Sequence, residues 1–326
     1  MFWDFSIGRS LGMVLRTLPY IVFRMLIYFG ITLAYIVFTG GGAGLGYGIG
    51  MAGTDDFQAW SSVIGGIAGF GAVSIWAYWL REWLLYTVKT GHIACLVHLM
   101  DNKPIPGGQA QIAYGVGIVK ERFAAMNALF LLDQLIKGVV GAITGLFNTI
   151  ANWIPIPGLQ GLVRIAGAIL KMATSFIDEI IIAHAIRTND PNTWNAARES
   201  TVLYAQNHKV ILKNAVWLVL IVYILSFTFF LIALAPAAAI VYFLPGAGTG
   251  TMMSIIVAVL FAWSFKQALM EPFAIACLMQ VYFKAIEGQR PDPAWDAKLM
   301  EMSGKFRDLK DKAMAYGSSV VASRLA

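Results

Sequence analysis

The chain is poor in charged residues and in cysteine. Only 13% of its 326 residues are Asp, Glu, Lys or Arg, whereas a soluble globular domain carries about 25%. Its two cysteines, Cys95 and Cys277, stand apart in apolar surroundings, so the sequence predicts neither a disulfide framework nor a metal site. With 58% hydrophobic residues and a mean hydropathy of +0.68, the chain is typical of a polytopic membrane protein.

Catalytic motifs are also missing from the sequence. The four histidines show no H-E-x-x-H spacing and no obvious serine or cysteine partner, and no Walker motif or nucleophile elbow occurs. The glycine-dense segment 40–50 has no basic residue and no βαβ context, which favours a flexible or closely packed outer loop over a phosphate cradle. We therefore predict no enzymatic activity and no cofactor.

Six apolar segments are long enough to cross a bilayer, whose hydrocarbon core of about 30 Å needs about 20 helical residues. We predict an all-α, polytopic integral membrane helical bundle with spans near 18–38, 57–80, 123–147, 161–186, 215–243 and 252–279. Two prolines between residues 153 and 158 break the chain between the third and fourth spans. Pro236 and Pro272 fall inside the last two spans, where we expect kinks.

The loops between these spans differ in charge. Segments 40–57, 148–163 and 244–252 contain no Lys or Arg, whereas 81–122 and 187–213 contain several. Because positive residues stay on the cytoplasmic side, this alternation predicts six crossings with both termini in the cytoplasm. In an alternative, the hairpin 120–187 lies in the cytoplasmic interface instead of crossing, and the number of crossings stays even. It also makes nucleic acid a poor explanation for the net charge of +6. We expect a multi-pass protein of a bacterial inner (plasma) membrane.

The two ends of the chain predict amphipathic helices. Residues 1–17 place aromatic and aliphatic side chains around Arg9 and Arg16, which is typical of a short helix in the membrane interface. No compact apolar region with a cleavage site follows, so the first apolar run is expected to be a retained span. In the tail 284–326, apolar residues from 292 onward recur every three or four positions. This pattern predicts one cytoplasmic helix, either solvated beneath the bundle or docked on a partner or a second copy.

Polar residues recur every seven positions in two otherwise apolar segments. Seven residues are nearly two helical turns, so each series lies along one helix face. Ionisable groups at bilayer depth are costly and usually face a bundle interior or a wet cavity, so we predict that both faces turn inward. The first series is Lys120, Asn127, Gln134, Gly141 and Asn148, and the second is Arg164, Lys171 and Asp178.

The ionisable residues of these segments have several possible partners. Asp133 and Lys137 are four positions apart and could form a local ion pair. Lys171 has no acid three or four positions away, so it needs a neighbouring helix, water or the interface. Glu179 points about 100° away from Asp178, toward a different neighbour. The predicted pathway or polar network comprises Asn127, Asp133, Gln134, Lys137, Arg164, Lys171, Asp178, Glu179, Lys266 and Glu271.

Three stretches resemble the choline transporter-like family. They are Phe176–Ile186 with the following Trp194–Arg198 and Asn207, the small-residue entry Gln111–Gly117 before Lys120 and Arg122, and Phe265–Glu271 with Glu287. The resemblance covers about 111–287 and implies a related helical architecture. The chain is shorter than typical members, lacks their cysteine-containing external domain and offers no clear aromatic cage for a quaternary ammonium. The solute is therefore left open.

Two functions of different class remain on this sequence. In the first, the polar helices enclose a hydrated path for a small polar or cationic solute, as in a transporter or channel. In the second, the stripes and the small residues Gly138, Gly141 and Gly145 hold helices or subunits together, as in a membrane scaffold or oligomeric assembly subunit. The expected partners are the lipid bilayer, a small solute, and a protein or second copy docked through the tail. Nucleic acid is not expected.

Overall fold

A computed structural model of the chain describes residues 2–108, 110–122, 131–132, 134–142, 176–243 and 249–325. Throughout this part of the chain the regular structure is helical, which confirms the all-α class. Residues 131–132 and 134–142 are helical as well. The helices with defined ends are α1 Ile7–Arg16, α2 Leu18–Gly50, α3 Asp55–Met100, α4 Ala110–Arg122, α5 Ile177–Thr188, α6 Thr193–Gln206, α7 His208–Phe243, α8 Thr249–Ala285, α9 Pro293–Met302 and α10 Gly304–Leu325.

Four helical segments in the described residues are long and apolar enough to cross a membrane. They are Leu18–Gly50, Asp55–Ile75, His208–Ile232 and Val259–Ala285. In the first three, between 11% and 28% of the most apolar window is buried, so most of their apolar side chains are left for lipid. In Val259–Ala285 the buried share is 83%, so protein surrounds most of this helix. These segments mark the chain as a membrane protein.

The chain divides into two compact units. The first unit comprises Met1–Pro19, Lys89–Ser226 and Leu269–Ala326, and the second comprises Tyr20–Val88 and Phe227–Ala268. The second unit contains the greater part of α2 and of α3. The first unit contains the short helices and most of the buried polar residues of the described part of the chain.

The glycine-dense segment 40–50 is helical, and its prediction as an outer loop was wrong. Helix α2 continues to Gly50, and the turn into α3 occupies residues 51–54. A Cβ atom added at Gly46 would overlap the carbonyl oxygen of Ser61, and one at Gly42 would overlap that of Gly65. Close backbone approach of this kind is available only to small residues. The glycines therefore form a packing seam between α2 and α3, which outweighs their poor helix propensity.

Other predicted element boundaries also change. Helix α3 extends to Met100, well past the predicted end at Leu80. Helix α5 begins at Ile177 after its N-cap Phe176, inside the predicted span 161–186. The rest of that span up to residue 175, and all of 123–147 except 131–132 and 134–142, lie outside the described residues.

The tail forms two helices where one was predicted. Ser303 is extended, with φ −136° and ψ 115°, and its hydroxyl accepts a hydrogen bond from the Phe306 backbone N–H at 3.3 Å. A serine N-cap followed by Gly304 ends one helix and starts the next. The predicted apolar face is nevertheless buried, since Leu299, Phe306 and Leu309 are each 0% exposed.

The tail is held against α6 by an ion-pair network around Asp296. Its carboxylate accepts hydrogen bonds from Arg198 Nε at 2.8 Å and from Lys310 Nζ at 2.9 Å. Burial alone would raise the pKa of Asp296, but the hydrogen bonds from Lys310 and Arg198 outweigh it and hold that pKa below its usual value. Asn192 also donates to the Ala313 carbonyl at 2.8 Å. The tail's apolar face is thus covered by its own chain.

Helix α1 lies in the segment 1–17 where an amphipathic helix was predicted. Ser6 caps it by accepting a hydrogen bond from the Arg9 backbone N–H, and Met13 and Val14 are buried. Leu11 and Leu15 are exposed on another face. The position of α1 in the membrane interface stays a prediction.

The α2–α3 seam leads to a paired test. Gly46→Ala places a methyl group against the Ser61 carbonyl, and such overpacking is expected to lower the free energy of unfolding by about 1–3 kcal/mol. Gly44 lies on the same helix with nothing within 4 Å of its Cβ position. Gly44→Ala should therefore be neutral or stabilising by up to about 1 kcal/mol. Thermal unfolding in detergent measures both, and equal effects would contradict the seam.

Candidate functional site

Three buried carboxylates and one lysine come together in the first unit. Asp178 and Glu179 lie in the first turn of α5, where the helix dipole favours negative charge. Glu271 lies on α8 immediately before Pro272, and Lys89 lies on α3. Asp178, Glu179 and Glu271 are 7%, 3% and 9% exposed. We refer to Lys89, Asp178, Glu179 and Glu271 as the Lys89 cluster.

Lys89 bridges two helices through two of these carboxylates. Its Nζ contacts Glu179 Oε1 and lies 2.5 Å from Glu271 Oε1. The lysine side chain is 22% exposed. Burial alone would lower the pKa of Lys89, but the carboxylates of Glu179 and Glu271 outweigh this effect and raise the pKa well above its usual value. Lys89 is therefore an ammonium ion throughout the physiological pH range.

The Lys89 cluster contains more acidic than basic groups. A second ammonium, that of Lys137, lies 4.0 Å from Asp178 Oδ2, but its side chain is 46% exposed and so screened by solvent. Glu179 Oε2 is buried without a hydrogen-bond partner in the described part of the chain. Lys89 contacts Glu179, whereas Lys137 lies nearer to Asp178. The arrangement leaves one buried carboxylate oxygen to accept a proton or another cation.

A second polar set fixes the helix that carries Asp178 and Glu179. The Tyr282 hydroxyl lies 3.3 Å from His184 Nδ1 and 2.8 Å from Ser200 Oγ. These three residues belong to α8, α5 and α6, and all are buried. Hydrogen bonds between buried groups form only in a narrow range of geometries. This set therefore restricts rotation of α5 about its axis. It positions the first turn of α5 relative to α8.

Of the ten predicted site residues, the structure brings together Lys137, Asp178, Glu179 and Glu271, and the last three belong to the Lys89 cluster. Gln134 also belongs to the first unit but is exposed. Lys266 is partly exposed and belongs to the second unit. The predicted residues that lie outside the described part are Asn127, Asp133, Arg164 and Lys171.

The first polar stripe does not face inward where the structure describes it. Lys120, Gln134 and Gly141 are exposed, so the prediction that this face turns toward a bundle interior was wrong for these positions. The opposite face of the same segment is buried and apolar, which gives the physical reason. Its buried residues are Leu132, Leu135, Ile136, Val139 and Val140.

Sequence analysis missed Lys89, the central residue of the site. It was counted among the basic residues of the loop 81–122, although apolar residues flank it on both sides. The runs 83–88 and 93–97 are rich in aliphatic and aromatic side chains, which is a signal that α3 continues as a buried helix. A lysine between two such runs needs an acidic partner, and that reasoning could have identified it.

No protein-family model, curated protein or solved structure matches the chain. The resemblance to the choline transporter-like family stays a prediction.

Removing the lysine should destabilise the protein strongly. Lys89→Met leaves Glu179 and Glu271 without their shared cation, and an uncompensated buried charge typically costs about 3 kcal/mol or more. A raised lysine pKa contributes stability that is present below the unfolded pKa of about 10.4 and lost only above it, so the contribution of the Lys89 ammonium itself should not change up to about pH 9.

Lys310→Met is the matched control for this variant. Lys310 has a similar exposure of 28%, but its partner Asp296 keeps Arg198. Thermal unfolding in detergent should show a clearly smaller loss for Lys310→Met than for Lys89→Met. Equal losses of stability would mean that removing Lys89 costs no more than removing one of the two cations that Asp296 contacts.

Proposed function

We propose that the protein is a membrane transporter or channel for a small polar or cationic solute, and that the Lys89 cluster binds the solute or a coupling cation. The observation that supports this is Glu179 Oε2, a buried carboxylate oxygen beside the Lys89 ammonium that has no hydrogen-bond partner in the described part of the chain. Perturbed, paired titratable groups in a buried position are typical of functional sites. In membrane proteins, such groups commonly mark ion pathways or proton relays.

A purely structural role explains the buried oxygen of Glu179 less well. Replacing a buried ion pair by apolar side chains is often neutral or stabilising, so an ion pair that only joins α3, α5 and α8 gains little from its charges. The Lys89 cluster also leaves Glu179 Oε2 buried without a hydrogen-bond partner among the described residues. A bound proton or cation would satisfy that oxygen.

The proposed topology has both termini in the cytoplasm of a bacterial cell, with six crossings, or four if the hairpin 120–187 lies in the cytoplasmic interface. The four membrane-length segments supply an even number of crossings, and the distribution of Lys and Arg supports the orientation. Lys89 follows the predicted span 57–80 by about 14 Å of helix, at 1.5 Å per residue. This distance supports a position of the Lys89 cluster near the cytoplasmic mouth of the proposed path, within reach of cytoplasmic water.

Glu179→Gln tests the transport proposal. The amide keeps the size of the side chain but cannot attract a cation, so flux should fall by about tenfold or more, the effect of losing about 1.4 kcal/mol of binding. Proteoliposomes report the uptake of labelled choline and potassium, and an entrapped pH dye reports proton movement. Wild-type vesicles should move at least one of these cations.

Asp296→Asn serves as the control for that experiment. Asp296 is also a buried acid, in an ion-pair network of the tail, and the same chemical change there should leave flux unchanged. Equal flux in wild type and Glu179→Gln, or no flux of any of the three cations in wild type, contradicts the proposal.

A second candidate, a subunit of a membrane assembly, is favoured by the exposed stripe. Gly141 lies on the exposed face of a segment whose sequence is of membrane length. Among the described residues nothing lies within 4 Å of its Cβ position, so a second helix could approach closely there. Gly138, by contrast, is already in contact with the Lys305 side chain of the tail.

Native mass measurement in mild detergent tests the assembly candidate. The wild-type chain should form an oligomer, and Gly141→Leu should shift it to monomer because the leucine side chain blocks close approach. Gly30→Leu, at another exposed helical glycine with open space around it, should not change the mass. A strictly monomeric wild type removes this candidate.

A further inference from the structure

A basic cavity lies between the end of α1 and the loop that joins α3 to α4. It has a volume of about 440 Å³ and belongs to the first unit. It lies apart in sequence from the Lys89 cluster and shares no residue with it. Its lining includes Arg16, Leu99, Asn102, Lys103, Ile105 and Gln111. We call it the loop pocket.

The walls of the loop pocket are fixed by hydrogen bonds and by backbone geometry. Gln111 Nε2 donates to the Arg16 carbonyl at 3.0 Å and to the Pro106 carbonyl at 3.2 Å, which joins α1, the loop and α4. The Lys103 backbone N–H donates to the His98 carbonyl at 2.8 Å. Asn102 has a positive φ of 56°, a conformation that asparagine tolerates better than most residues. The cavity therefore has a defined shape before any ligand enters it.

The charge of the loop pocket is uncompensated within the described residues. Arg16 and Lys103 both line it, and neither has an acidic partner in the described part of the chain. The nearest acid in sequence, Asp101, is paired with Arg187 at 2.8 Å. Arg9, the other cation of α1, donates to the Met100 carbonyl at 2.8 Å. Two unpaired cations at one cavity repel each other and favour an anion between them.

Gln111 is held rigidly at the wall of the loop pocket. The residue is 1% exposed, and both hydrogen bonds to the neighbouring carbonyls use its Nε2 group. Its Oε1 is buried and has no hydrogen-bond partner among the described residues. The polar wall that Gln111 forms therefore does not compensate the charge of the two cations.

We infer that the loop pocket binds a phosphate-bearing anion. Arg16 offers a planar fork of donors and Lys103 a point charge, a combination suited to phosphate oxygens. Two sources present this chemistry, a glycerophospholipid headgroup of the cytoplasmic leaflet and a soluble phosphate.

The position of Arg16 fits the first source. Arg16 and Thr17 directly precede Leu18, where the first membrane-length segment begins, so we expect Arg16 at headgroup depth. Leu11, Leu15 and Leu18 are exposed on the same stretch and can enter the lipid beside it. The loop pocket would then hold the headgroup of a lipid whose chains pack along these leucines.

The full-length protein in detergent provides the test, with native mass spectrometry as the readout of lipid binding. Phosphatidylglycerol is compared with diacylglycerol, which has the same chains and no phosphate. Arg16→Gln and Lys103→Gln should each weaken phosphatidylglycerol binding about fivefold, because a surface cation contributes about 1 kcal/mol to anionic-lipid binding. Lys103→Arg, which keeps the charge, should bind like wild type.

The control variant and a second ligand complete the experiment. Lys209→Gln removes an exposed cation from the start of α7, another membrane-length helix, and should leave binding unchanged. Inorganic phosphate is tested separately by thermal shift. Lys103 is exposed, so its replacement should not affect folding even where Arg16→Gln lowers the yield.

Each outcome decides the inference. Weaker phosphatidylglycerol binding in both glutamine variants supports it with a lipid as the source. A thermal shift by inorganic phosphate that the variants lose supports it with a soluble phosphate as the source. Binding of both ligands to Lys103→Gln as tightly as to Lys209→Gln, or equal binding of diacylglycerol and phosphatidylglycerol together with no phosphate shift, overturns it.

Discussion

The burial of one ammonium ion among carboxylates is the constraint on which the first unit depends. Lys89 contacts Glu179 of α5 and Glu271 of α8, so α3 brings the cation that lets both acids leave water. A helix that carries two adjacent buried acids in its first turn could not pack there without it. The hydrogen bonds among His184, Ser200 and Tyr282 then fix the same helices in register. Stability and the proposed chemistry use the same groups, so selection on one acts on the other.

The helices of the two units are held together by different kinds of residue. The second unit presents apolar side chains outward and packs α2 on α3 through glycines, which gives tight contact without polar groups. The first unit joins short helices by charged and hydroxyl side chains, such as Asp296 with Arg198 and Lys310. An apolar surface like that of the second unit suits hydrocarbon, which tolerates few polar groups. The charged groups of the first unit suit water, which screens exposed charges.

The all-α membrane class could be predicted from the sequence, because long apolar runs and low charge exclude a soluble fold. The buried face of the tail could also be predicted, since Leu299, Phe306 and Leu309 repeat at helical spacing. Residues 40–50 could not be placed correctly, because glycine has poor helix propensity and its use as a packing surface appears only when α3 lies against it. Lys89 was missed because charge counting treats a lysine as a loop signal, whereas its partners lie far away in the chain. The inward orientation of the first polar stripe was predicted wrongly for a related reason. Periodicity shows which residues share a helix face but not whether that face turns inward or outward.

Pro272, next to Glu271, has a mechanical consequence for α8. A proline has no amide hydrogen, so the helical hydrogen bond to the carbonyl of Ala268 cannot form. Bending at this turn breaks no further backbone bond, which makes it the softest point of a helix that is otherwise rigid. Glu271 sits within that turn. A change in the charge around Lys89 therefore acts directly at the point where α8 bends most easily.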